Sequence, residues 1–138
     1  MGESTESAGA TEAAVDRLLA AARRRISILE PPAAAALRED GAVFVDTRPE
    51  HQRRAHGEIP GAVVIDRNVL EWRLDPTSPF RDERVPPDRP LVVFCQQGYA
   101  SSLAVAALVD LGRPDVHDLG GGFDAWQAAG LPTVEGES

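Results

Sequence analysis

Leu91-Val92-Val93-Phe94-Cys95-Gln96-Gln97-Gly98-Tyr99-Ala100-Ser101-Ser102 is the stretch from which the rest of the chain can be read. Its first four residues are apolar without interruption. Such runs mark strands buried on both faces, which belong to parallel sheets covered by helices on either side. Residues 101–111 are apolar on nearly every side, with hydroxyl residues near the start and Gly112 just past the end, so they predict a buried helix. Between strand and helix lie Cys95 and a short run from Gln96 to Ala100 that is no core segment. In an open α/β sheet, ligands bind at this position, outside the carboxyl ends of the strands.

The pattern repeats outward from there. Residues 42–45 (AVFV) and 62–65 (AVVI) are further continuous apolar runs, residues 26–29 read as an edge strand, and residues 116–119 as a last short strand. Helical stretches alternate with them. Val15, Leu18, Leu19, Ala22 and Ile26 recur at helical spacing and predict an N-terminal helix over residues 11–25, with acidic residues early and Arg23, Arg24 and Arg25 late. Residues 32–38 form an Ala-rich helical stretch, and the turn Gly120-Gly121-Gly122 leads into a small helix over 123–129. Residues 66–90 carry Pro76, Pro79, Pro86, Pro87 and Pro90, which makes them an irregular excursion with a short helix over 68–73. Trp72 and Phe80 are expected to anchor that excursion to the core. The alternation predicts a three-layer α/β domain over residues 26–134, an extra N-terminal helix, and flexible tails at 1–10 and 135–138.

A length of 138 residues is one domain, long enough to bury roughly two-thirds of its unfolded surface. All fourteen basic residues are Arg, and the formal net charge is −8. That balance argues against a nucleic acid or an anionic membrane surface held by bulk electrostatics. No apolar run approaches the length of a membrane span. The N-terminus carries Glu3 and Glu6 where a secretory signal needs basic residues, so a soluble, cytoplasmic setting is expected. Cys95 is the only cysteine. It excludes an intramolecular disulfide and a multi-cysteine metal cluster, and it leaves no second thiol to resolve the first. His51, His56 and His117 have no ligand spacing, so neither a metal nor a cofactor is expected.

The chemistry converges on Cys95. A short loop between strand and helix leaves backbone N–H groups without ladder partners, and turned inward they form an anion-binding cradle. Such amides and the positive end of a helix favour a thiolate, the nucleophilic form of cysteine. Two readings stay open, a reactive thiol or a small buried hydrophobe, and the strand-to-loop junction favours the first. Asp46 and Arg48 end another strand on the same rim, and Gln96, Gln97 and Tyr99 line the mouth of the pocket or are simply solvated. His56 can be read as a base near the thiol or as part of a turn, and its glycine and proline neighbours favour the turn.

These pieces together resemble the rhodanese-like domains. The resemblance rests on Val45-Asp46-Thr47-Arg48, His56-Gly57-Glu58-Ile59-Pro60-Gly61-Ala62, Val92-Val93-Phe94-Cys95-Gln96-Gln97-Gly98 and Leu119-Gly120-Gly121-Gly122-Phe123-Asp124-Ala125-Trp126, in that order over about residues 25–134. It implies a parallel five-stranded sheet between helices and a Cys95 that accepts a sulfane sulfur as a persulfide. The donor would be thiosulfate or a persulfide, and the acceptor a thiol, cyanide or a protein partner. Gln96, Gln97, Gly98, Tyr99, Ala100 and Ser101 would form the binding loop, with Arg48 as an auxiliary positive charge and Asp46 as part of the structural rim. An alternative role in the same family is a sulfur carrier or persulfide sensor acting with a protein partner. Cysteine phosphatases of the related fold place an Arg six residues after the cysteine to clamp phosphate. Here that residue is Ser101, and no Arg occurs between Cys95 and Leu111. The loop also lacks the basic residue that many rhodanese-like loops carry, so the backbone amides and helix dipole are left to hold an anionic donor.

Overall fold

The computed structural model describes residues 12–136, so the expected tail at 1–10 and the last two residues of the chain lie outside it. Five strands form one sheet: β1 (Ser27–Leu29), β2 (Val43–Asp46), β3 (Val63–Val64), β4 (Leu91–Phe94) and β5 (Val116–Leu119). Every pairing is parallel, in the order β1-β5-β4-β2-β3. The helices are α1 (Ala14–Arg23), α2 (Pro31–Glu39), α3 (Glu50–His56), α4 (Leu70–Leu74) behind a short 3₁₀ turn, α5 (Ala100–Leu111) and α6 (Gly122–Ala128). The expected three-layer α/β architecture with an added N-terminal helix is present.

The core divides along the two faces of the sheet, as continuous apolar strands require. Val43, Val45, Leu91 and Val93 face Leu70, Leu74, Ala104, Val105 and Leu108. Phe44, Val92 and Phe94 face Ala34, Ile59, Phe123 and Trp126. The strand order reverses direction between β2 and β4, and the crevice at that switch is where such sheets bind ligands. Register then sets the site: Asp46 pairs with Phe94, so the residues just after β2 stand beside Cys95.

The excursion over 66–90 is anchored differently from expectation. Trp72 and Phe80 are exposed, 57% and 63%. Leu70, Leu74 and Val85 enter the core instead. Buried Arg113 donates to the carbonyls of Leu74 at 3.1 Å and Pro86 at 3.0 Å, tying the two ends of the excursion to the end of α5. Aromatic identity alone does not say which face of a short helix meets the core, and here the leucines flanking Trp72 take that face.

Within the excursion, the Arg84 hydrogen bond draws the Asp82 carboxyl down to about 2 against the opposing effect of burial, with Arg73 adding to the same direction. A carboxyl lowered in the folded state stabilises the fold above its unfolded value near 4 and loses that contribution as pH falls toward 2. Asp82→Asn is expected to flatten the decline in melting temperature between about pH 4 and 2, on the order of 1 kcal/mol after solvent screening of Arg84. Parallel declines in wild type and variant would refute it.

Candidate active site

Cys95 follows β4 directly and is half-buried. Two backbone amides converge on its sulfur, Gly98 N–H at 3.2 Å and Ser101 N–H at 3.3 Å, and the thiol itself reaches Ser101 Oγ at 3.3 Å. The amides of Gln96, Gln97, Tyr99 and Ala100 donate to no backbone carbonyl among the described residues. The loop thus aims two donors at one sulfur and leaves four more amides without a carbonyl partner among the described residues, an arrangement suited to negative charge. Gly98 makes the turn with φ +88°, in the left-handed region, and a Cβ there would lie 2.9 Å from the Gly121 nitrogen. Gln97, Tyr99 and Ala100 are exposed and Gln96 is half-buried, whereas Ser101 and Ser102 are fully buried.

The glycine turn before α6 seats the loop from the other side. Phe123 N–H donates to the Cys95 carbonyl at 2.9 Å and Asp124 N–H to the Gln96 carbonyl at 3.0 Å. Those carbonyls come so close that a Cβ on Gly122 would lie 2.5 Å from Cys95 O. Gly122→Ala is therefore expected to push α6 off the loop and lower kcat/KM by on the order of 10²-fold through misplacement of the sulfur. Steady-state kinetics beside thermal melting check it, and an active, wild-type-like Gly122→Ala would contradict it.

Asp46 and Arg48 form a wholly buried pair beside the loop, with side chains 0% exposed. Arg48 Nε and Nη2 donate to the two Asp46 oxygens at 3.0 and 2.8 Å, and Nη2 also to Gly57 O at 2.8 Å. The guanidinium lies over the Phe123 ring at 4.3 Å. Its Nη1 donates to Gln96 Oε1 at 2.9 Å, and Gln96 Nε2 in turn donates to Asp124 Oδ1 at 2.6 Å. Arg48 thus touches the loop through Gln96. His56 is not among the partners of Cys95 and lines a separate cleft of about 560 Å³ with Arg54 and Thr133.

Two groups at the site carry no signal in the sequence stretch around Cys95. Asp118 on β5 is 1% exposed and receives the Ser101 hydroxyl at 2.6 Å and the Ser102 hydroxyl at 2.5 Å. Arg23, from the last turn of α1, donates through Nη2 to Gly98 O at 2.8 Å and through Nε to Ser102 Oγ at 3.2 Å. It also lies over the Tyr99 ring at 5.5 Å. A basic side chain does reach the loop, brought by a helix that packs against α5.

The sequence model of the rhodanese-like domain matches residues 30–129. The chain belongs to the rhodanese-like domain family. Among its relatives, a thiosulfate sulfurtransferase GlpE from Pseudomonas savastanoi is 37% identical over 100 residues, covering 72% of this chain and 86% of its own. A solved Rhodopseudomonas palustris protein of unknown function, described as a possible tyrosine phosphatase, superposes with a TM-score of 0.79 at 33% identity, covering 89% of this chain and 95% of its own. The polysulfide-sulfur transferase of Wolinella succinogenes, a homodimer, superposes with a TM-score of 0.70 at 25% identity, covering 87% and 86%. With relatives of this kind, the rhodanese-like chain is a rhodanese-type enzyme. The helix that carries Arg23 lies before the matched residues. No helix among the described residues is long and apolar enough to cross a membrane.

Proposed function

We propose that the protein transfers a sulfane sulfur from thiosulfate or a persulfide to a thiol or cyanide through a persulfide on Cys95. The observation that carries this reading is the sulfur held by the Gly98 and Ser101 amides at 3.2 and 3.3 Å, in a loop with no arginine clamp after it. In the first half-reaction the Cys95 thiolate attacks the outer sulfur of the donor. The donor S–S bond breaks and sulfite, or the thiolate of a persulfide donor, leaves with the electron pair. In the second, an acceptor thiolate or cyanide attacks the terminal sulfur and the Cys95 thiolate leaves. The loop from Gln96 to Ser101 holds the anionic sulfur with backbone N–H groups, while Arg48 acts as a positioning residue by fixing Gln96. Asp46 fixes Arg48 in turn. An unpaired reactive thiol of this kind suits a reducing compartment, which supports a cytoplasmic setting.

The test is intact-protein mass after incubation with thiosulfate, polysulfide or a low-molecular-weight persulfide. Gain of one sulfur atom is expected, removed by cyanide, and no gain with any donor would sink the proposal. With no second cysteine to intervene, donor and acceptor visit the enzyme in turn, so initial-rate lines are expected to be parallel. Intersecting lines count against it. A persulfide that small acceptors leave in place and only a protein fraction discharges would favour the sulfur-carrier reading, which the uncharged side chains of the loop keep in contention.

A further inference from the structure

The sulfur transfer just described leaves Asp118 without a part, although this carboxyl is buried directly beneath the nucleophile. Its connection to Cys95 is a single hydroxyl. The thiol donates to Ser101 Oγ at 3.3 Å and Ser101 Oγ donates to Asp118 Oδ1 at 2.6 Å. The second carboxyl oxygen is held by Ser102 Oγ at 2.5 Å, itself a partner of Arg23. The charged and titratable groups facing Asp118 are Cys95 through Ser101, Arg23 from α1, and Tyr99 and Glu30, which share its cleft of about 340 Å³. Burial pushes the Asp118 carboxyl above its ordinary range, and the two serine hydroxyls and Arg23 oppose that shift. An ionised carboxylate fixed here would repel the thiolate that the loop is built to hold. A carboxylate that takes the thiol proton removes that repulsion at the moment the thiolate forms.

We propose that Asp118 exchanges a proton with Cys95 through the Ser101 hydroxyl. The Sγ–H proton passes to Ser101 Oγ as the Ser101 Oγ–H proton passes to Asp118 Oδ1. The S–H and serine O–H bonds break, a new serine O–H bond and a carboxyl O–H bond form, and one negative charge moves from carboxylate to sulfur with no change of oxidation state. The thiolate then receives the Ser101 hydroxyl in addition to the Gly98 and Ser101 amides. When Cys95 leaves as a thiolate in the second half-reaction, the same two protons run back. Ser101 is therefore more than a backbone donor, and Asp118 is a positioning residue that acts through it.

This inference rests on Cys95 as the sulfur-carrying nucleophile, but its test reads the bare thiol, so the two can fail separately. The measurement is the rate of Cys95 alkylation by iodoacetamide against pH, without any sulfur donor. Two groups that share a proton titrate in two macroscopic steps. Wild type is expected to show two inflections with a plateau between them. Asp118→Asn and Ser101→Ala are each expected to show one inflection; at the plateau pH Asp118→Asn alkylates severalfold faster, because the competing negative charge is gone, and Ser101→Ala roughly tenfold more slowly, because the thiolate has lost its hydroxyl donor. Ser101→Ala keeps the backbone donor to sulfur and removes only the hydroxyl, so it decides the matter if Asp118→Asn does not fold. A single inflection in wild type, a two-step profile that survives Ser101→Ala, or an Asp118→Asn protein slower than wild type at the plateau pH would overturn the relay.

Discussion

Cys95→Ser is expected to lower sulfur transfer to cyanide by roughly 10⁴-fold or more while the fold stands. The substitution keeps the size of the side chain and its place at the end of β4. Gly98 N–H and Ser101 N–H, now 3.2 and 3.3 Å from the sulfur, still face the oxygen that replaces it. What is lost is the element on which the proposed persulfide would form, because a hydroxyl at neutral pH is almost wholly protonated and does not carry a sulfane sulfur. The half-buried position requires no large repacking, so the change in stability should stay within about 1 kcal/mol. Two measurements together check the claim: thiocyanate formation and the intact mass after donor treatment. A Cys95→Ser protein that forms thiocyanate within tenfold of wild type, or that still gains a sulfur atom, would remove Cys95 from the centre of the mechanism.

The sheet and the loop were legible because their signals are local. A run such as Leu91–Phe94 has no polar position to place in solvent, so only a strand covered on both faces suits it, and all four residues are fully buried. Cys95 stands out for the same reason, as the point where that run stops. Helix α3 had no such signal. Glu-His-Gln-Arg-Arg-Ala-His has no apolar stripe and no buried residue, and the helix is held by its end at Gly57 and an exposed Arg54–Glu50 pair.

Long-range polar contacts were invisible for a different reason. The serines at the head of α5 read as helix caps, yet Tyr99 occupies the cap position without a side-chain bond and both serines turn inward to Asp118. Arg23 read as a dipole-compensating charge in the last turn of α1, and its second use needs α1 to lie against α5. The apparent neutrality of the loop was a property of adjacent sequence, and the fold brings in a cation from 75 residues away. The one clue in the sequence was Asp118 itself, a carboxylate in a short strand two residues after Val116 and directly before Leu119, where burial demands partners.

Arg48→Ala is expected to cost about 3–5 kcal/mol of stability, because it leaves the Asp46 carboxylate buried without its counter-charge. At this chain length that corresponds to a fall in melting temperature of roughly 10–20 °C. Both side chains are 0% exposed, so water cannot take over from the guanidinium. The Arg48 backbone N–H at 3.0 Å survives the substitution but supplies one donor where there were three. The loss reaches the active site by a definite route. Without Nη1, Gln96 keeps only Asp124 as a side-chain partner, and the Gly57 carbonyl loses its donor. Sulfur transfer should therefore fall even at temperatures where the variant is folded. Arg48→Met separates charge from packing, since it fills the space over Phe123 without the cation. Combined with Asp46→Asn, it should recover part of the loss, because the uncompensated carboxylate is then gone as well. Thermal melting of the two single variants and the double variant measures the coupling directly. Melting temperatures that simply add, or an Arg48→Ala protein that melts within a few degrees of wild type, would show that the buried pair does not hold the rim on which Cys95 is set.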